Sequence, residues 1–163
     1  MAVSLGGFAQ GSAAGAGSPL ATDAFAAQPT AGSTIVVGLS WSEKDNLTGI
    51  TDNASNTYTS CAGPYLYAGA VRRLQLFYAK NISTAASFVV TATWGDASNF
   101  EREMFAAEIK GADTTAPFDK SAGQVQLAPG TGTDAITSTA VTPTTDGQFI
   151  VSMCLITGAV GLS

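Results

Sequence analysis

From Ser33 onward, apolar and polar residues alternate at every second position over short runs, the period of a strand with one buried face. In Thr34–Trp41, one face carries Ile35, Val37, Leu39 and Trp41, and the other carries Thr34, Val36, Gly38 and Ser40. Leu74, Leu76 and Tyr78 alternate with Arg73, Gln75, Phe77 and Ala79. Phe88, Val90, Ala92 and Trp94 alternate with Ser87, Val89, Thr91 and Thr93. Thr57–Thr59, Met104–Ile109, Val125–Leu127, Ala135–Val141 and Phe149–Ile156 are further strand-like runs, the last reading as a central strand. Gly, Asn, Asp and Pro separate these runs, and no long stretch shows a capped 3.6-residue period. The pattern predicts an all-β, antiparallel sandwich or barrel.

Residues 1–32 differ. They are rich in Ala, Gly and Ser, and their first charge is Asp23. Val3–Leu5 reads as a short strand, and Gly11–Ser18 as a linker or extended segment. The expected organisation is an extended N-terminal arm over residues 1–32 and a β-sandwich domain over 33–163. An arm with so little side-chain surface needs a holder if it is ordered, either its own sheet or a neighbouring chain.

Composition narrows the function. The chain is 45% hydrophobic and 12% charged, with net charge -5 and no His. Seven Lys and Arg against twelve Asp and Glu cannot neutralise many phosphates, so no nucleic-acid partner is expected. Without His, a Ser-His-Asp triad, a Cys-His dyad and a His-containing zinc site are excluded. A mean hydropathy of +0.22 with so few charges suggests apolar surface that neighbouring subunits cover. No apolar run reaches the roughly 18 residues of a membrane helix, so no membrane partner is expected. No secretory leader is expected either, because Gly6, Gly7, Gln10, Gly11 and Ser12 interrupt any apolar core. Cys61 and Cys154 lack CxxC spacing, leaving a disulfide or two free thiols open.

Four blocks follow one another: Thr30–Trp41, Ile50–Tyr58, Phe77–Ile82 and Ala106–Gly111. Their order resembles a jelly-roll sandwich of tailed-phage structural proteins that also occurs in some bacterial surface proteins. There the corresponding blocks are a TAGN-apolar strand, a DxxGNTYT hairpin, a YAKN strand end and an AEYSG-like strand. The resemblance implies an antiparallel jelly-roll-like β-sandwich with Tyr78 and Ile109 in its core. It leaves Glu108 on the opposite face, solvated or paired. Ser55 stands where that family often has Gly, at a turn.

Candidate chemistry is sparse. Glu101 and Glu103, at i and i+2 on a strand, would share a face roughly 7 Å apart, a spacing that suits paired glycosidase carboxylates. Asp45, Asp52, Asn53 and Asn56 offer oxygens to Ca²⁺ but lack EF-hand spacing, and they read as an Asx-rich turn. Asp96, Asn99 and Glu101 read the same way. Ala62–Gly69 reads as an aromatic loop displaying Tyr65 and Tyr67, and Tyr suits contact surfaces. Arg72 and Arg73 point to opposite sides of a strand and make no patch.

No catalytic residues, cofactor or metal site are expected. The expected role is that of a non-enzymatic phage virion structural protein, a capsid decoration (cement) protein on the particle exterior. Its partners would be copies of itself and/or the major capsid protein. Candidate contacts are Val3, Leu5 and Phe8 in the arm, and Tyr65 and Tyr67. The alternative is a carbohydrate-binding or adhesin module of a tail fibre or cell-surface protein, with a glycan partner at the two tyrosines. A third option is a jelly-roll glycosidase using Glu101 and Glu103.

Overall fold

The computed structural model describes residues 2–13, 18–42, 46–67, 72–95, 101–125, 139–145 and 147–154. The described residues contain eight strands and no helix: β1 (Ser4–Ala13), β2 (Leu20–Ala21), β3 (Thr34–Ser42), β4 (Leu47–Asp52), β5 (Thr59–Tyr67), β6 (Arg72–Ala79), β7 (Val90–Trp94) and β8 (Arg102–Lys110). They form a five-stranded sheet in the order β1-β8-β3-β6-β5 and a three-stranded sheet in the order β2-β7-β4. Every pairing is antiparallel.

One hydrophobic cluster joins the sheets. Ile35, Val37, Leu39 and Trp41 of β3 meet Val90, Ala92 and Trp94 of β7, with Phe88, Ile82, Met104 and Ala106 around them. These are the alternating positions of the sequence pattern, and the two predicted faces of β3 and β7 hold. Burying each large aliphatic side chain contributes about 2 kcal/mol, so the two-residue period largely determines which face turns inward.

β3 is buried on both faces, since Thr34, Ser40 and Ser42 are also buried. The chain after β8 reaches the outer face of the five-stranded sheet. Phe118 stacks on Tyr78 with ring centroids 5.8 Å apart. Met153 comes so close to Gly38 that a Cβ there would lie 2.7 Å from its Sδ.

Four expectations meet this fold. First, residues 4–13, expected as an extended arm or strand, are a strand. They form the edge strand β1, paired with β8 from Ser4 opposite Lys110 to Ala13 opposite Arg102. Of the two possible holders, the chain's own sheet takes them. Second, Phe149–Cys154 is not a central strand. It pairs with nothing among the described residues, and Phe149 and Ile150 are exposed. Third, Ala62–Tyr67 belongs to β5 and not to a loop. Fourth, Glu108 faces the core side while Tyr78 and Ile109 lie on the outer face of the sheet, where Ile109 is nonetheless buried. Register decides this: Glu108 lies opposite core-facing Ile35, whereas Tyr78 lies opposite Val36 and Ile109 opposite Thr34. Residues 139–141 and Val125 are not in strands, and the rest of those two predicted runs lies outside the described residues.

Candidate partner interface

The five-stranded sheet separates the predicted contact residues into two groups. Leu5 and Phe8 lie on β1, with Val3 just before it, and Tyr65 and Tyr67 lie on β5. These strands are the two edges of the sheet, about 19 Å apart at the usual strand spacing. The structure therefore does not assemble one five-residue site.

The β1 edge presents the apolar patch. Leu5 is 58% exposed and Phe8 52%. Val3 is half-buried. Phe8 stacks on Phe105 of β8, ring centroids 6.1 Å apart and planes at 21°. Phe105 was not among the predicted contacts. Alternation along β8 places it outward, because Met104 and Ala106 face the core. Beside this patch opens a cleft of about 480 Å³ lined by Gln10, Ser12, Asp23, Glu103, Phe105 and Met153, among others.

Only part of the β1 edge is open. Gln10 O accepts a bond from Asp23 N at 2.8 Å, and Ala21 lies against Gly11. Residues 21–23 thus cover its C-terminal half. The open part is Ser4–Phe8, interrupted by an irregularity at Gly6 and Gly7. The β5 edge suits strand addition less well, since Pro64 has no N–H and the pairing with β6 shifts register twice.

Tyr65 is half-buried and packed under the chain, since a Cβ on Gly123 would lie 2.5 Å from its Cζ. Tyr67 pairs with Arg72 through the strand. On the same edge Leu66 is 42% exposed, an apolar side chain that the tyrosine pattern did not single out.

Several of the remaining candidates have structural partners. Arg72 Nη2 binds Glu101 Oε2 at 2.6 Å, and Glu103 is exposed on the outer face. Asp52 accepts bonds from Ala54 N, Asn56 N, Asn56 Nδ2 and the Tyr58 hydroxyl. Asn53 and Asn56 bind the backbone of residues 83–89. This is the Asx-rich turn, with its side chains spent on local structure. Asp45, Asp96 and Asn99 lie outside the described residues. Among the described residues, no three His, Cys, Asp or Glu side chains cluster as metal ligands would. Cys61 and Cys154 are both free. Burial pushes the Cys61 thiol up to about 11, against a weaker opposing hydrogen bond from its own backbone, so this thiol is poorly reactive near neutral pH.

A scan against protein-family models, a search of curated proteins and a search of solved structures each return no match. The partner chemistry therefore rests on the surface itself: an apolar aromatic patch at one sheet edge of a charge-poor sandwich.

Proposed function

We propose that the chain is a non-enzymatic structural protein of a phage particle, a jelly-roll-like decoration protein bound to the capsid exterior. The observation that carries this reading is the exposed Leu5–Phe8 pair, stacked through Phe8 on Phe105 at the open end of β1. A lone exposed Leu means little, but an aromatic stack continued by a second large apolar side chain marks a contact surface. The ordered blocks from Thr30 to Gly111 and the 12% charged composition support the same reading. Two antiparallel sheets over one core are what a jelly roll requires.

The mode of attachment follows the fold. Because β1 is part of the sheet, contact is made by the face of a folded edge strand and not by a free arm along a neighbour. Many copies, each making a modest apolar contact with the capsid protein, would bind through avidity. The carbohydrate-binding alternative has less support, since Tyr65 is covered by the chain around Gly123.

Density-gradient banding of virions from the source lysate, with the chain followed by antibody, tests the reading. The chain is expected to band with the capsid, and the L5S/F8S double variant to remain at the top of the gradient. A wild-type chain absent from the particle band rejects the virion assignment. A double variant that bands normally rejects the β1 patch as the attachment surface.

A further inference from the structure

Glu108 is a carboxylate on the core-facing side of a central strand, 2% exposed. Its Oε1 accepts a bond from Thr30 N at 2.7 Å, and its Oε2 one from Gly7 N at 3.2 Å. Lys110 Nζ lies 3.7 Å from Oε2. The cradle is shaped for this group, because a Cβ on Gly6 would lie 2.7 Å from Glu108 Cδ. The β1–β8 register shifts between Leu5 and Phe8, where Gly6 and Gly7 meet the carboxylate. One side chain thus ties together three separate segments: the β1 irregularity, the Thr30 loop and β8.

β1 depends on this tie more than the other long strands do. Ala9 is its one buried residue, and its largest side chains, Leu5 and Phe8, face solvent. Beyond its ladder hydrogen bonds and the Phe8–Phe105 stack, its attachment to β8 near this end is the charge-assisted bond from Gly7, and such bonds are roughly twice as strong as neutral ones. The core strands β3 and β7 have fully buried apolar faces instead. Elements with little buried surface open first.

We propose that Glu108 is a charge-dependent latch on the N-terminal strand: ionised, it clips β1 and the Thr30 loop to β8, and neutralised, it releases β1 while the sandwich core stays folded. Release exposes the backbone edge of β8. The inference concerns this fold alone and stands apart from the virion reading.

The direction with pH follows from the surroundings. Burial raises the Glu108 carboxyl, but the bonds from Thr30 and Gly7 and the charge of Lys110 together outweigh it and hold the group below the ordinary glutamate range. The segments packed against it, β1, β3 and residues 24–32, contain no titratable side chain, so Lys110 is the charged neighbour. The latch is therefore closed above the ordinary glutamate range and opens as pH falls through the lowered folded-state value.

Amide hydrogen exchange on the full chain tests the latch. In Glu108→Gln, an amide nitrogen replaces one accepting oxygen and faces a backbone N–H. The amides of residues 8–13 are expected to exchange at least tenfold faster, while those of residues 35–41 keep their protection. Wild type is expected to show the same local loss on acidification, after correction for intrinsic rates, and Glu108→Gln a flat profile. Gly6→Ala, which keeps the carboxyl group but puts a methyl where the carboxylate and the β1 irregularity meet, is expected to give the same local loss. Unchanged β1 protection in both variants overturns the latch. So does joint loss of β1 and β3 protection, which would make Glu108 a support of the whole fold.

Discussion

The guanidinium of Arg102 lies 4.5 Å from the centroid of the Trp94 ring. Both residues are buried, Arg102 on β8 of the five-stranded sheet and Trp94 on β7 of the three-stranded sheet. A cation is thus part of the seam between the sheets. Its charge sits over an aromatic face, an interaction worth about 2 kcal/mol when desolvated.

Arg102→Ala is expected to destabilise the fold by about 3 kcal/mol, from the lost contact and the cavity left behind. Arg102→Met refills most of the volume and is expected to lose about 1–2 kcal/mol. Urea denaturation followed by Trp fluorescence measures both. A Met variant as stable as wild type would show that the charge over Trp94 contributes nothing net.

The Tyr58 hydroxyl donates to Asp52 Oδ2 at 2.8 Å, at the centre of the turn after β4. Removing it in Tyr58→Phe is expected to cost about 1 kcal/mol, and Asp52→Ala, which strips four bonds, about 2–3 kcal/mol. Burial, then the Asp52 charge, then the bond to Asp52 raise the Tyr58 phenol far above its ordinary range. The folded protein therefore keeps this proton where the unfolded chain releases it. The associated stability is complete below the unfolded value of about 10 and declines as pH rises past it. Tyr58→Phe is expected to flatten that alkaline decline between pH 9 and 11 in chemical denaturation. An identical slope in the two proteins would be inconsistent with a phenol held protonated by this site.

Ser55 adopts φ of 61°, in the left-handed region that glycine occupies most readily. A side chain there costs about 1–2 kcal/mol, offset in part by the greater unfolded-state freedom of Gly. Ser55→Gly is expected to raise stability by about 0.5 kcal/mol, and Ser55→Val to lower it by more than 1 kcal/mol. Calorimetric Tm values order the three proteins. A glycine variant less stable than wild type would mean that the Ser55 side chain contributes more than its backbone strain costs.

The order of effects explains what could be read early. The inward faces of β3 and β7 were legible because a period of two with large aliphatic side chains leaves one choice of face. The Asx-rich turn was legible in part: Asp52 bonds Ala54, Asn56 and Tyr58 nearby, whereas Asn53 and Asn56 reach the backbone of residues 83–89, a tie that sequence spacing does not show. The faces of Tyr78 and Glu108 were misread. A Glu on a core-facing position contradicts local hydrophobicity, and it is tolerated because Gly7, Thr30 and Lys110 converge on it from distant parts of the chain. Leu5 and Phe8, expected as contacts, lie exposed on β1, but their separation from Tyr65 was not legible, since sequence spacing says nothing about which strands become edges.

By itself the sequence determined an all-β chain, the apolar faces of β3 and β7, the short-range bonding of Asp52 and a surface poor in charge. These depend on interactions between near neighbours and on total composition. Tertiary structure decided that residues 4–13 join the sheet, that Phe149–Cys154 does not, and that a carboxylate is buried at the junction of three segments. Each of those outcomes depends on contacts between segments far apart in the chain, such as the pairing of β1 with β8. Backbone hydrogen bonding there is nearly blind to side-chain identity, so only the complete fold selects the partner.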